Sequence, residues 1–361
     1  MSSEEIQPIL DDLARMQAVD RKGMLRQINE FPEQCETALG IARSFEDKYA
    51  EFEPSMVLVT GTGDCGTAAD MAAVISDKIT VPLVSKHGGY LPSYVDERAL
   101  VLIVDYAGNG RNALQNYREA KGRGSEIVCV TGGGKLAEVA GADGVRVIKI
   151  PAAQLARTAT GYMFVQLLGL LSQYRVSTSA TDAVFSAIKL LKGAREALRF
   201  EFPASRNKAK QAAEFLYGKI PVVFGTTGYR SVIARRWKSQ LGANAKRPAF
   251  ASITVDAAAG EISAWELAGG NRDQFAYVFL NDPSDKNNDA DILNARAKQI
   301  LGTAYAVLDL DINGTTAAEK LLYGMYFADF VSYYLALLYE VDPTPTEFVK
   351  AMESPEDVEQ V

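Results

Sequence analysis

Twice in this chain a short apolar, β-branched run ends in a cluster of glycines and leads into a helix-spaced segment. Met56 to Thr60 (MVLVT) meets Gly61-Thr62-Gly63-Asp64-Cys65-Gly66, after which Ala69, Ala72, Ala73 and Ile75 recur at helical spacing. Pro221 to Phe224 (PVVF) meets Gly225-Thr226-Thr227-Gly228, and a helix follows through Trp237. A strand that is apolar at every position must be covered on both faces, which is the condition of a parallel sheet flanked by helices. Further strand signals lie at Leu100 to Tyr106, Ile127 to Val130 and Val145 to Ile150, then near Ile253, at Phe275 to Leu280 and at Ala304 to Leu310. Strands alternating with helices predict an α/β fold of parallel sheets in three α/β/α layers, and the repetition predicts two such domains in tandem. Their expected bounds are 46–175 and 216–340. A helical segment (1–45) precedes them, a helical connection (176–215) joins them, and a C-terminal helix and tail (341–361) follows. Within the helical stretch from about 153 to 217, an exposed turn is expected near Ser177 to Thr181.

Several function classes fall away on composition. A net charge of −7, with no cluster of Lys and Arg, argues against a nucleic-acid partner. The apolar stretch Tyr162 to Leu171 is too short to span a bilayer, and Met325 to Tyr339 contains Asp329, so both read as core helices and no membrane partner is expected. The N-terminus, MSSEEIQPIL, lacks the basic-then-apolar order of a signal peptide. Cys35, Cys65 and Cys129 are widely separated with no CxxC pair, which disfavours a zinc site and a complete disulfide set. A cytoplasmic protein with reduced thiols is the expectation. The single histidine, His87, leaves no metal site that needs several imidazoles in one chain. It reads either as a loop-packing residue or as an acid/base group that titrates near neutrality.

In an open parallel sheet, ligands bind where strands end and helices begin. Glycines there let ligand oxygens approach the backbone, and helix N-termini offer unpaired N–H groups. The turns 61–66 and 105–110 (Asp105-Tyr106-Ala107-Gly108-Asn109-Gly110) both occupy such ends and together can line one pocket. The first also fits GxGxxG, the dinucleotide fingerprint, which asks for a carboxylate about 20 residues on to hold a ribose. That region reads Val81-Pro82-Leu83-Val84-Ser85-Lys86-His87, without one. A nicotinamide-dependent oxidoreductase is therefore a minor alternative, and no cofactor is expected.

The chain resembles the bifunctional phosphoglucose/phosphomannose isomerases, which carry two sugar-isomerase (SIS) domains. The resemblance is borne by Asp20 with Gly23-Met24-Leu25, by Phe31-Pro32-Glu33-Gln34, by the turn at 61–66 and by Leu91-Pro92-Ser93-Tyr94-Val95-Asp96-Glu97. It continues in Arg236-Trp237-Lys238, Asn244-Ala245-Lys246, Trp265-Glu266, Asp329 to Leu338 and Asp342-Pro343-Thr344-Pro345. It implies a small-molecule sugar or sugar phosphate as ligand, and a homodimer whose sites borrow from the neighbouring subunit.

The resemblance also implies which residues should act. An aldose–ketose isomerase needs a carboxylate to move the proton between C2 and C1, and a second group to open the ring. The family motif Pro-Glu-x-x-His-Asn falls here on Val255-Asp256-Ala257-Ala258-Ala259-Gly260, so the base becomes Asp256 and the histidine becomes Ala259. Asp is shorter than Glu by about 1.5 Å, and misplacement of about 1 Å can cost about a hundredfold. His87 could replace the lost imidazole from another loop. The family's phosphate turn Ser-Tyr-Ser-Gly-Asn-Thr falls on 105–110, losing three hydroxyls and gaining the Asp105 carboxylate, while Cys65 stands at a family serine. Arg111 could offset that charge. The family's catalytic lysine falls on Glu353, with Lys350 one turn earlier, and Lys135 and Thr346 stand where some members contact substrate. The substrate-binding candidates are thus Gly61, Thr62, Gly63, Cys65, Asp105, Gly108, Asn109, Arg111, Lys135 and Thr346. Two functions follow as expectations: a divergent sugar-phosphate isomerase with a degenerate catalytic motif, or a non-catalytic sugar sensor that kept the pocket.

Overall fold

The computed structural model describes residues 8–45, 50–76, 79–152, 154–177, 180–266, 273–284, 289–303 and 305–353. Two all-parallel sheets organise them. In the first, β1 (Met56–Gly61), β2 (Leu83–His87), β3 (Ala99–Val104), β4 (Glu126–Thr131) and β5 (Arg146–Lys149) lie in the order β2-β1-β3-β4-β5. In the second, β6 (Ile220–Gly225), β7 (Phe250–Ile253), β8 (Phe275–Asn281) and β9 (Ala306–Asp311) lie in the order β7-β6-β8-β9. β3 is buried at every position, as a central strand made only of Ala, Val, Leu and Ile must be.

Alternation along each strand sorts side chains into layers. Leu58, Val101, Ile103 and Cys129 point to an outer core, closed by Ala113, Tyr117 and Ala120 of α5 (Arg111–Gly122) and by Leu136 and Ala140 of α6 (Gly134–Ala142). Val57, Val59, Leu100, Leu102 and Val128 point the other way into the largest core. That core takes in three short N-terminal helices, α1 (Leu13–Val19), α2 (Met24–Asn29) and α3 (Phe31–Arg43), together with α4 (Asp64–Ile75), α7 (Thr160–Gln173), α8 (Ala180–Leu198) and α9 (Lys208–Leu216). It runs on through α10 (Tyr229–Ala245) and α13 (Ala317–Leu338) to Val223 and Val278 of the second sheet. Beyond that sheet, Val222, Phe224, Tyr277 and Phe279 meet Ala297 and Leu301 of α12 (Asp289–Gly302). The two α/β units thus share one continuous helical layer between their sheets.

One helix among the described residues, α13, is long and apolar enough to cross a membrane, and its apolar window is wholly buried in the fold. A capping box starts it: Thr316 Oγ1 accepts the Glu319 N–H, and the Glu319 carboxylate accepts the Thr316 N–H. Of the turn expected at Ser177 to Thr181, Ser177 and Thr181 are buried, and 178–179 lie outside the described residues. The chain folds back onto α7 there, with the Val176 and Ser177 N–H groups donating to Leu171 O. Val176 is buried in the core beside them.

Each sheet has a point where the connections leave in opposite directions, between β1 and β3 and between β6 and β8. Open parallel sheets bind ligands at such points, in the crevice outside the carboxyl ends of the strands. The two glycine turns of the sequence sit at these two places.

Candidate functional site

The first crevice is built from three turns that hold one another. Gly61 ends β1 directly against the first turn of α4, where an added Cβ would lie 2.7 Å from the Cys65 carbonyl carbon. Cys65 is buried, and its Sγ accepts the Tyr106 N–H at 3.3 Å, tying the first turn to the second. Burial, reinforced by Asp105 and Asp64 against that N–H, pushes its thiol up to about 12, so it is a structural thiol and not a nucleophile. Thr62 is exposed at the mouth, and Gly63 (φ +56°) leads into α4.

The second turn closes on itself through Asp105, whose Oδ2 accepts the Gly110 N–H at 2.5 Å. The Gly108 N–H donates to Asp105 O at 3.2 Å. Gly108 has φ +72° and passes so close to the third turn that a Cβ would lie 1.8 Å from Gly133 O. Asn109 Oδ1 accepts the Lys135 N–H at 3.0 Å, and Gly108 O accepts the Leu136 N–H at 2.7 Å. Asn109 is thus occupied in fixing α6, and the exposed Lys135 ammonium pairs with Glu138 at 3.2 Å. Arg111, the first residue of α5, is exposed and makes no side-chain hydrogen bond or ion pair among the described residues.

His87 also reaches this crevice. It ends β2 opposite Gly61, and its ring packs on Gly66, where a Cβ would lie 2.5 Å from Cε1. Its Nε2 is 3.2 Å from Asp70 Oδ1, which accepts the Ser85 hydroxyl at 2.6 Å, while Arg235 lies 3.5 Å from Asp70 Oδ2. The hydrogen bond to Asp70 raises the imidazole above its ordinary value. A raised value means the pair's stabilisation is complete below about 6.5 and is lost as pH rises through the folded value. His87 is expected to titrate above about 6.5, and Asp70→Asn to bring it back down. Imidazole proton NMR reads this without assignment, because the chain holds one histidine; titration at or below the ordinary value would contradict the pairing.

Three other candidates lie elsewhere. Asp256 sits on a single helical turn, α11 (Thr254–Ala257), after the edge strand β7. It is exposed and its carboxylate makes no hydrogen bond or ion pair among the described residues. Ala257 anchors this turn in the outer core of the second sheet against α12. Thr346 lines a groove with Ser239, Lys246 and Phe348, alongside the C-terminal half of α10. Lys350, on α14 (Glu347–Glu353), is exposed and bonds to Glu347 at 3.0 Å.

What sequence reasoning missed is the buried polar cluster behind the first turn. Arg236, 1% exposed, donates to Asp64 Oδ1 at 2.8 Å, to Arg157 O at 2.6 Å and to Asp329 Oδ1 at 3.1 Å. Arg157 in turn donates to Asn244 Oδ1 at 3.0 Å and to Thr344 O at 2.6 Å. At the carboxyl edge of the second sheet, ion pairs border a cavity of about 380 Å³ lined by Asn281, Asp282, Asp291, Asn294, Lys298 and Asp311. Asp282 binds Lys320 Nζ at 2.7 Å and the Tyr229 hydroxyl at 2.5 Å, and Arg230 forks onto Asp291. Against burial, the bonds from Lys320, Tyr229 and Ser284 hold the Asp282 carboxyl well below the usual range.

Residues 205–354 match the bacterial phospho-glucose isomerase C-terminal SIS domain. The bifunctional phosphoglucose/phosphomannose isomerase of Caldicellulosiruptor bescii is 31% identical over 332 residues, covering 92% of this chain and 98% of that protein. This chain belongs to that family. The Aquifex aeolicus protein of the same name is 31% identical over 263 residues, 72% of this chain and 77% of its own length. The solved glucose-6-phosphate isomerase like protein from Thermus thermophilus shares the fold, with a TM-score of 0.63 at 19% identity over 93% of this chain and 98% of that one. The two parallel sheets fit the tandem SIS architecture of that family.

Proposed function

We propose that this protein binds a hexose derivative in the first crevice and does not interconvert hexose 6-phosphates at an enzyme's rate. The carrying observation is the place of Asp256. A general base must come within hydrogen-bond reach of the carbon acid. Asp256 stands on a turn after the edge strand β7, whose Ala257 is buried in the outer apolar cluster against α12. Ala259 offers no imidazole beside it. The binding half of the reading is supported by Gly61, Thr62, Gly63 and the 105–110 turn, which the fold gathers at one switch point. Three buried, unpaired thiols fit a reducing, cytoplasmic setting.

A second reading is favoured by the exposure of Asp256 and the lack of a partner for its carboxylate among the described residues. In a homodimer, that side chain from one subunit could enter the crevice of the other, with His87 opening the ring and Lys350 assisting. The two readings separate on Asp256→Asn. If the protein is a binder, a panel of hexoses and hexose phosphates raises its melting temperature, and Asp256→Asn leaves both the shift and the absent turnover unchanged. If it is an isomerase, Asp256→Asn abolishes measurable turnover. A melting temperature that no sugar moves would overturn the binding claim.

A further inference from the structure

The crevice that should cradle a phosphate carries the wrong charge for one. Two carboxylates flank it. Asp64 opens α4, and Asp105 follows β3 at its carboxyl end. Both lie close to the Cys65 thiol, which burial above all, and then these two charges, push upward. Asp64 is answered by Arg236 at 2.8 Å, but no cation among the described residues binds Asp105. The hydrogen bonds of the turn are spent in the same direction. Asp105 Oδ2 takes the Gly110 N–H at 2.5 Å, and its backbone oxygen takes the Gly108 N–H at 3.2 Å, so two donors that an incoming anion would use are already occupied. No hydroxyl side chain stands between Asp105 and Gly110 except the Tyr106 phenol, which points away to donate to Pro151 O at 3.0 Å.

The carboxylate is also built in. A Cβ at Gly110 would come 2.7 Å from Asp105 Oδ2, so Asp105 can fold back onto this turn only because residue 110 has no side chain. The aspartate and the glycine act as one unit. Asp105 Oδ1 is left with no hydrogen bond among the described residues, on a half-buried side chain at the switch point. A half-buried carboxylate with one free oxygen is an acceptor looking for a donor, and its charge repels a phosphate at contact distance.

We propose that this crevice selects hexoses presenting a hydrogen-bond donor, a hydroxyl or an ammonium group, and rejects those presenting a phosphate. This rests on the hexose-binding reading above. Asp105 accepts the donor through Oδ1 while Oδ2 holds the turn, and an ammonium gains over a hydroxyl because the acceptor is charged.

The test is titration calorimetry of the full-length protein with glucose, glucosamine, glucose 6-phosphate, glucosamine 6-phosphate and inorganic phosphate. Glucosamine is expected to bind about ten-fold more tightly than glucose, and each 6-phosphate at least ten-fold more weakly than its parent. Asp105→Asn keeps an acceptor for the Gly110 N–H and removes the charge, so it should fold, erase the glucosamine advantage and relieve the penalty on phosphate. The unfolding midpoint of the variant checks that the turn survives. If wild-type protein binds glucose 6-phosphate more tightly than glucose, or if Asp105→Asn leaves the order of affinities unchanged, the inference is wrong and the hexose-binding reading stands. If none of the probes binds wild-type or variant, both are overturned.

Discussion

Arg236→Met should cost about 3–5 kcal/mol of unfolding free energy, the usual size when one partner of a buried ion pair is removed. Its guanidinium, 1% exposed, holds Asp64 of the first glycine turn, the Arg157 carbonyl and Asp329 of α13. Without it Asp329 is stranded in the core. Burial already lifts the Asp329 carboxyl above its ordinary range, even with Arg236 and Gln240 beside it. Removing the cation therefore leaves a carboxyl that must stay protonated or unfold its surroundings. Equilibrium urea unfolding measures the loss. The double variant Arg236→Met with Asp329→Leu should recover much of it, because the unpaired charge is gone. Equal losses in the single and double variants would mean that the cluster stabilises by packing, not by pairing.

Gly108→Ala is expected to disrupt the crevice itself. Its φ of +72° disfavours any side chain, and the new methyl would lie 1.8 Å from Gly133 O, forcing the second and third turns apart. Strain in a left-handed position costs about 1–3 kcal/mol, and overpacking adds a similar amount. The bonds at stake are those from Lys135 and Leu136 to Asn109 and Gly108, which fix α6 beneath the turn. The measurable result is a lower melting temperature together with loss of sugar-induced stabilisation. Gly23→Ala is the control. It lies in the left-handed region (φ +70°) but has nothing within 4 Å of the added methyl, so it should cost about 1–2 kcal/mol and leave the three turns joined. Equal effects of the two substitutions would show that the close approach at Gly108 does not matter.

Much of the architecture was legible because its strands are nearly pure apolar runs ended by glycine. β1, β4 and β6 announce themselves in this way, β3 and β8 are apolar runs stopped at Asp105 and at Asn281-Asp282-Pro283, and α13 contains most of the apolar stretch Met325 to Tyr339. The edge strand β2 was harder, since Leu83-Val84-Ser85-Lys86-His87 is half polar and only partly buried. The shared helical layer was not legible, because the hydrophobic period of a helix says which face is buried but not which sheet covers it. In the candidate site, the turns 61–66 and 105–110 could be placed together from strand order alone. Asp256 could not, because a position in an alignment carries no information about which side of the second sheet α11 occupies. The ion cluster did leave a trace: Asp329 interrupts an apolar helix and Arg236 heads a motif of the family resemblance. Such a charge must find a partner inside, but the sequence does not say that Arg236 also reaches Asp64 on the other α/β unit.

The central claim is that this isomerase-family crevice binds a hexose without turning over the family's substrates. A coupled assay tests it most directly, following fructose 6-phosphate to glucose 6-phosphate and mannose 6-phosphate, on a preparation whose melting temperature a hexose has been shown to raise. The account predicts no turnover above the enzyme-free rate. Turnover of about 1–10³ s⁻¹, the ordinary range for an enzyme, would contradict it and place Asp256 or His87 back at the reacting carbons.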